Sequence, residues 1–128
     1  MIDIEAEVTA YLTPEIAPLA IVVGNTPENI DQSWVRVRQI GTSPAGNRDV
    51  DVLNSHHIQF DCYAATPGRE GQGEAAAIYR AVRSALVEMP DEIGEVTAVR
   101  FTNALRMPDD SLKPPRQRFI LDARIFAK

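Results

Sequence analysis

Cysteine is almost missing from this chain. Cys62 is the only one in 128 residues, so no intrachain disulfide and no thiolate cluster for zinc can form. A reducing cytosol is the setting this suggests. Long apolar runs are missing too: the longest, "APLAIVV" at 17–23, is strand-sized and far short of the ~20 residues a membrane span needs. The opening "MIDIEAEV" is acidic, whereas a secretory signal begins basic and continues apolar. Positive charge is not in excess either. The formal net charge of −5 argues against the chain as a whole being a nucleic-acid binder. There is no internal repeat, and the length suits one domain spanning 1–128, enough to bury roughly two-thirds of the unfolded surface.

Catalytic and ligand motifs are equally scarce. "GREGQG" (68–73) precedes a helix, where phosphates bind, but it lacks the Lys-Ser/Thr of a P-loop and the spacing of GxGxxG. Its glycines suit a sharp strand-to-helix reversal instead. His56 and His57 are neighbours on a strand, so their rings point to opposite faces and cannot readily chelate one metal. Asp49 and Asp51 alternate in "RDVDV" without the glycine and distal Glu of a calcium loop. No nucleophile elbow is present, and Cys62 falls in phase with Ile58 and Phe60 as a small buried hydrophobe. No enzyme, no cofactor and no metal is expected.

What is there is periodic. Ile4, Val8, Tyr11 and Leu12 recur at helical spacing, ending at Thr13-Pro14. Leu19–Val23 is a short strand closed by the turn formers "GNTPEN". "WVRVRQIG" (34–41) alternates, Val35 and Val37 opposite Trp34, Arg36 and Arg38. "HHIQFDCYA" alternates again, with Ile58, Phe60, Cys62 and Ala64 opposite His57, Gln59, Asp61 and Tyr63. Ala75, Ile78, Tyr79, Val82, Leu86 and Met89 form the apolar stripe of a central helix that Pro90 ends, with Glu70 and Glu74 complementing the dipole at its start. Two long strands close the chain, near 95–107 and 117–127. Val99, Phe101, Leu105 and Met107 share a face of the first, and Phe119, Leu121, Ala123 and Ile125 share a face of the second. "PDDSLKPPR" between them reads as an exposed hairpin loop. The order α-β-β-β-α-β-β predicts an α+β domain: a mainly antiparallel sheet of four to five strands, covered by a central helix and a short N-terminal one.

The arginines are the feature with functional interest. Arg36 and Arg38 share a face, as do Arg100 and Arg106, and separately Arg118 and Arg124. Acids concentrate instead at Asp3, Glu5 and Glu7 and around "MPDEIGE". Either the arginines form a solvated face with local pairs of little energy, or they meet acids of a neighbouring subunit or line a channel. Trp34 is correspondingly an interface anchor or a covered core residue.

The N-terminal helix, "SWVRVRQIG" with the loop after it, "HHIQFDCYAATPGREGQGEAAAIYRAVRSAL" and the closing "RFILDARIFAK" together resemble the tail terminator (tail completion, head-tail joining) proteins of long-tailed bacteriophages. The match lies in the order and spacing of elements, and it departs at Gly41-Thr42, where the family has Gly-Gly. The resemblance implies a structural virion protein, assembled in the host cytoplasm. It would form a homo-oligomeric ring, expected to be a hexamer, on the head-proximal end of the tail. Such a ring stops growth of the tail tube protein and offers a joint to the head-tail connector or stopper protein, with DNA only as cargo through the lumen and no membrane partner. Trp34, Arg36, Arg38, Arg100, Arg118 and Arg124 then become candidate lumen or inter-subunit residues, and loops 42–54 and 108–116 candidates for ordering on assembly. The rival readings are another neck or head-completion protein, which an assembly assay with tails or heads separates, and a small α+β enzyme or ligand-binding domain, which a thermal-shift screen against nucleotides and metals would expose.

Overall fold

Helix α1 (Ile4–Ile16) begins where the Asp3 side chain accepts the Ala6 N–H at 3.2 Å, satisfying one of the helix's orphan donors. It buries Ile4, Val8, Leu12 and Ile16, one residue per turn, and Tyr11 beside them donates its hydroxyl to the Ala85 carbonyl at 2.7 Å. The helix runs through Pro14 rather than ending there. The reason is position. In the last turn a proline removes only the bond to Ala10, and Ala10 lies on the exposed side. The same correction applies to α2 (Gln72–Glu92), which contains Pro90 and closes two residues later with the Ile93 N–H on the Met89 carbonyl at 2.9 Å.

This computed structural model describes residues 3–27, 31–44, 54–112 and 114–127. Its five strands are β1 (Ile21–Val23), β2 (Trp34–Pro44), β3 (Asn54–Pro67), β4 (Val96–Arg106) and β5 (Arg116–Ala127), in the order β1-β2-β3-β5-β4. β1 is parallel to β2 and every other pair is antiparallel, so the chain is α+β as expected. β2 carries Gly41-Thr42 within the strand, beside a bulge at Gln39/Gly41.

Both helices lie on one face of the sheet. Val35, Val37, Ile58, Phe60, Cys62, Leu121, Ala123 and Ile125 form a single core with Ile78, Val82, Leu86 and Met89 of α2 and the apolar stripe of α1. Each large aliphatic side chain fully buried there contributes ~1.5–3 kcal/mol, more than a surface ion pair does. The core therefore carries the fold, and the other sheet face is left for other work.

Two details depart from simple alternation. β4 bulges between Val96 and Ala98 and between Phe101 and Asn103, and an extra residue reverses which side follows. Val99 and Phe101 face the helices, paired with Ile125 and Ala123. Leu105, paired with Ile120, faces the other way, and Arg106, paired with Phe119, swings to the helix side, where it reaches Gln72 at 3.4 Å. Leu105 thus does not share a face with Phe101, nor Arg106 with Arg100.

The β3–α2 corner is the second detail. Glu74 turns inward instead of facing solvent at the helix start. Its carboxylate accepts the Ala65 N–H at 2.7 Å, the Thr66 hydroxyl at 2.9 Å and the Ser33 hydroxyl. Burial would raise its pKa, but the hydrogen bonds from Ser33, Ala65 and Thr66 outweigh that and hold it below its ordinary value. Gly71 is buried where a Cβ would run into the Thr66 carbonyl and Ala64, and Gly68 has φ 74°, a conformation costly for residues with a side chain.

Candidate functional site

The open sheet face is built in rows, because strands in register bring alternate residues side by side. Trp34, Tyr63 and Arg118 form the first row, then Arg36, Asp61, Ile120 and Leu105, then Arg38, Gln59, Asp122 and Asn103, and next His57, Arg124 and Arg100. All six arginine and tryptophan candidates, Trp34, Arg36, Arg38, Arg100, Arg118 and Arg124, therefore lie on this one face. Asp61, Tyr63 and Asp109 join them there.

The first two rows close upon themselves. Trp34 and Tyr63 stack with ring centroids 4.4 Å apart, and both are buried. Trp34 leaves no surface for another chain, so its role is internal. Asp61 is fully buried, and its carboxylate accepts Arg36 at 2.7 and 3.2 Å, Arg38 at 3.3 Å and Gln59 at 2.9 Å. The guanidinium of Arg36 loses hydration on burial, but the hydrogen bond to Asp61, with Tyr63 and Asp109 nearby, more than compensates and raises its pKa.

The β4–β5 loop completes this cluster. Asp109 accepts the Tyr63 hydroxyl at 2.9 Å and stands 3.7 Å from Arg118, whose Nε donates to the Met107 carbonyl at 3.1 Å. Burial pushes the Tyr63 phenol up, reinforced by Asp109. Asp109 itself is held below its ordinary pKa, since hydrogen bonds from Ser111 and Tyr63 and the charge of Arg118 outweigh its desolvation. The loop expected to be simply exposed is thus partly fastened to the sheet by Asp109.

The remaining rows stay open. Arg38 is 46% exposed. Arg100 and Arg124 face each other directly across β4 and β5. Arg124 donates to the Ser55 hydroxyl at 3.2 Å, and Arg100 lies 5.9 Å from the Phe126 ring centroid. Among the described residues neither has a carboxylate within ion-pair distance. Like charges directly opposite are unfavourable in a sheet, so this end of the face is suited to an anionic partner.

The other candidates lie apart. His56 is buried on the helix side against Gln39 and Thr42, and burial lowers its pKa. His57 lies on the open face, paired with Arg124. Among the described residues no three His, Cys, Asp or Glu side chains are grouped to hold a metal ion. Asp49, Asp51 and positions 45–53 of the 42–54 loop lie outside the described residues. Sequence reasoning singled out the arginines but not Asp61, Tyr63 or Asp109. The available signal was the shared phase of Asp61 and Tyr63 with Trp34, Arg36 and Arg38 on neighbouring strands.

Comparison with known proteins adds one match. The family described as tail completion protein gp17 matches the chain over residues 5–121, from α1 into β5. No curated protein matches.

Proposed function

Because the chain belongs to the tail completion protein gp17 family of phage tail structural proteins, we propose that it acts by forming a ring on the head-proximal end of the tail tube. The ring, a hexamer in this reading, stops polymerisation of the tube protein and presents a joint to the head-tail connector or stopper. DNA crosses its lumen as cargo. The 128 residues act as one domain, assembled in the host cytoplasm and retained in the virion tail.

The observation that carries this reading is the family match over nearly the whole chain. The fold agrees with such a role. One face of the sheet is sealed by helices and the other is polar, with arginines at its open end. A closed ring needs heterologous contacts, in which one patch meets a different patch of the next copy, and a two-layer domain has two unlike faces to offer. Function is then steric and interfacial rather than catalytic.

Native mass spectrometry over a concentration series, with negative-stain images, tests the ring directly. A closed six-subunit species with a central hole is expected. Purified tail tubes test the cap: the protein should bind one tube end and block further growth. Tubes that grow equally well with and without the protein would refute the capping role.

A further inference from the structure

The Arg100–Arg124 pair marks a place where a subunit on its own is incomplete. The two arginines are paired in register, and among the described residues neither has a carboxylate within ion-pair distance. Cross-strand pairs normally carry opposite or neutral side chains, because like charges repel at this distance. Elsewhere on the same face the chain does supply partners, Asp61 for Arg36 and Arg38 and Asp109 for Arg118. The imbalance is therefore local and confined to the open rows.

The edges formed by β1 and β4 do not offer an easy route for association. β1 has three residues, and β4 carries two bulges. Thr97 and Thr102 in those bulges donate back to the Phe126 and Asp122 carbonyls of β5. Short and bulged edges oppose strand addition by another chain. Contact through faces avoids those two edges.

The nearest acid along β5 on this face, Asp122, stands in the neighbouring row, and a separate run of acids lies on the other side of the sheet. No lysine or arginine occurs before Arg36, whereas Asp3, Glu5, Glu7 and Glu15 fall in α1 or at its cap. The solvent side of α1 presents Asp3 and Glu7 beside Ala6 and Ala10. The small alanines leave a shallow groove of about 550 Å³ lined by Asp3 and Glu5 together with Gly24 and Gln39, with Glu7 on the adjoining solvent side of the helix. Arginine side chains can lie along such a groove and reach the carboxylates at its rim, with bidentate geometry open to them.

Resting on the ring reading above, we propose that the open sheet face of one copy docks onto the outer side of α1 of the next, with Arg100 and Arg124 meeting the Asp3–Glu7 stripe. α1 packs on the sheet face opposite the arginines, so the contact is heterologous. Each copy presents its arginines on one side and its acids on the other, and the same contact repeats from copy to copy.

Charge reversal tests this with folded protein. The variants are Arg100→Glu with Arg124→Glu in one chain and Glu7→Arg in another, all on exposed or half-exposed positions. Circular dichroism verifies that each is folded, and native mass spectrometry at low ionic strength reads association. The wild type should self-associate, and each variant alone should do so at least about tenfold more weakly, as expected for close interfacial charge pairs. An equimolar mixture of the two variants should associate again. In the mixture the native arginines of one chain meet the unaltered acids of the other, and the introduced glutamates meet the introduced arginine. Contacts between unlike chains are thus favoured over those between like chains, and the two variants alternate in the assemblies.

A mixture that stays monomeric while the wild type associates overturns the proposal, as does a wild type that never associates at low ionic strength. So does short duplex DNA that binds the wild type but not the doubly reversed variant while self-association is unchanged, which would assign the arginines to phosphates. Wild-type rings with an inert mixture would leave the ring standing and remove this contact. Mixed pairs or open chains without closed rings would do the opposite.

Discussion

Removing the Asp61 carboxylate should cost stability far out of proportion to one surface charge. Asp61 is fully buried and accepts four hydrogen bonds, two from Arg36 and one each from Arg38 and Gln59. Breaking a buried pair from one side typically costs ~3–5 kcal/mol, because the remaining charge is stranded. Here the arginines keep some water: their side chains are 19% and 46% exposed. Discounting for that solvation, Asp61→Ala should destabilise by about 2–3 kcal/mol. For a chain of this length the corresponding fall in melting temperature is roughly 6–10 °C. Urea unfolding at neutral pH measures it, in a cycle with Arg36→Met and the double variant. The double should lose less than the sum of the singles, with a coupling of about 1–2 kcal/mol. A loss below about 0.5 kcal/mol for Asp61→Ala, or strict additivity, would refute the idea that this carboxylate is the hub of the face.

Asp109 and Glu74 both have folded pKa values below their ordinary 3.8 and 4.5, so each contributes stability that is present above the ordinary value and lost as pH falls through the lower folded one. Urea midpoints taken from about pH 5 down to about pH 2 should fall less steeply for Asp109→Asn than for wild type, and an unchanged slope would contradict the latch to Tyr63 and Arg118. At the β3–α2 corner, Gly71→Ala should destabilise by ~1–3 kcal/mol because its Cβ meets backbone. Gly73→Ala, two residues on in open space within the helix, should instead stabilise by ~0.5–1 kcal/mol; thermal melts of the two distinguish the signs. Cys62 is fully buried and burial raises its thiol pKa, so a thiol reagent should leave the native protein untouched and label it on unfolding; rapid native labelling would place the side chain elsewhere.

Much of this molecule was legible in its sequence because alternation and helical spacing are local. The period-two pattern of 34–40 and 56–64 assigned Val35, Val37, Phe60 and Cys62 to one side and the arginines with Asp61 and Tyr63 to the other. The stripe from Ala75 to Met89 marked α2 as the helix that lies on that sheet. The order of elements was enough to suggest the phage tail family that the chain matches. What failed locally did so for identifiable reasons. Pro14 and Pro90 look like stops, but in a final turn a proline removes only one bond. The run from Val99 to Met107 looks regular, but two bulges, which come from pairing with β5, reverse its phase and separate Arg106 from Arg100.

The site itself required tertiary structure. Whether an arginine is spent inside its own subunit or left for another depends on which residue stands beside it on the next strand, and register decides that. The register places Asp61 beside Arg36, and the β4–β5 loop brings Asp109 to Arg118; Arg100 is paired across the strands with Arg124. Sequence by itself determined which residues are charged and, where the strands alternate without a bulge, which face they take. The pairing of distant strands decided which of those charges remain unanswered.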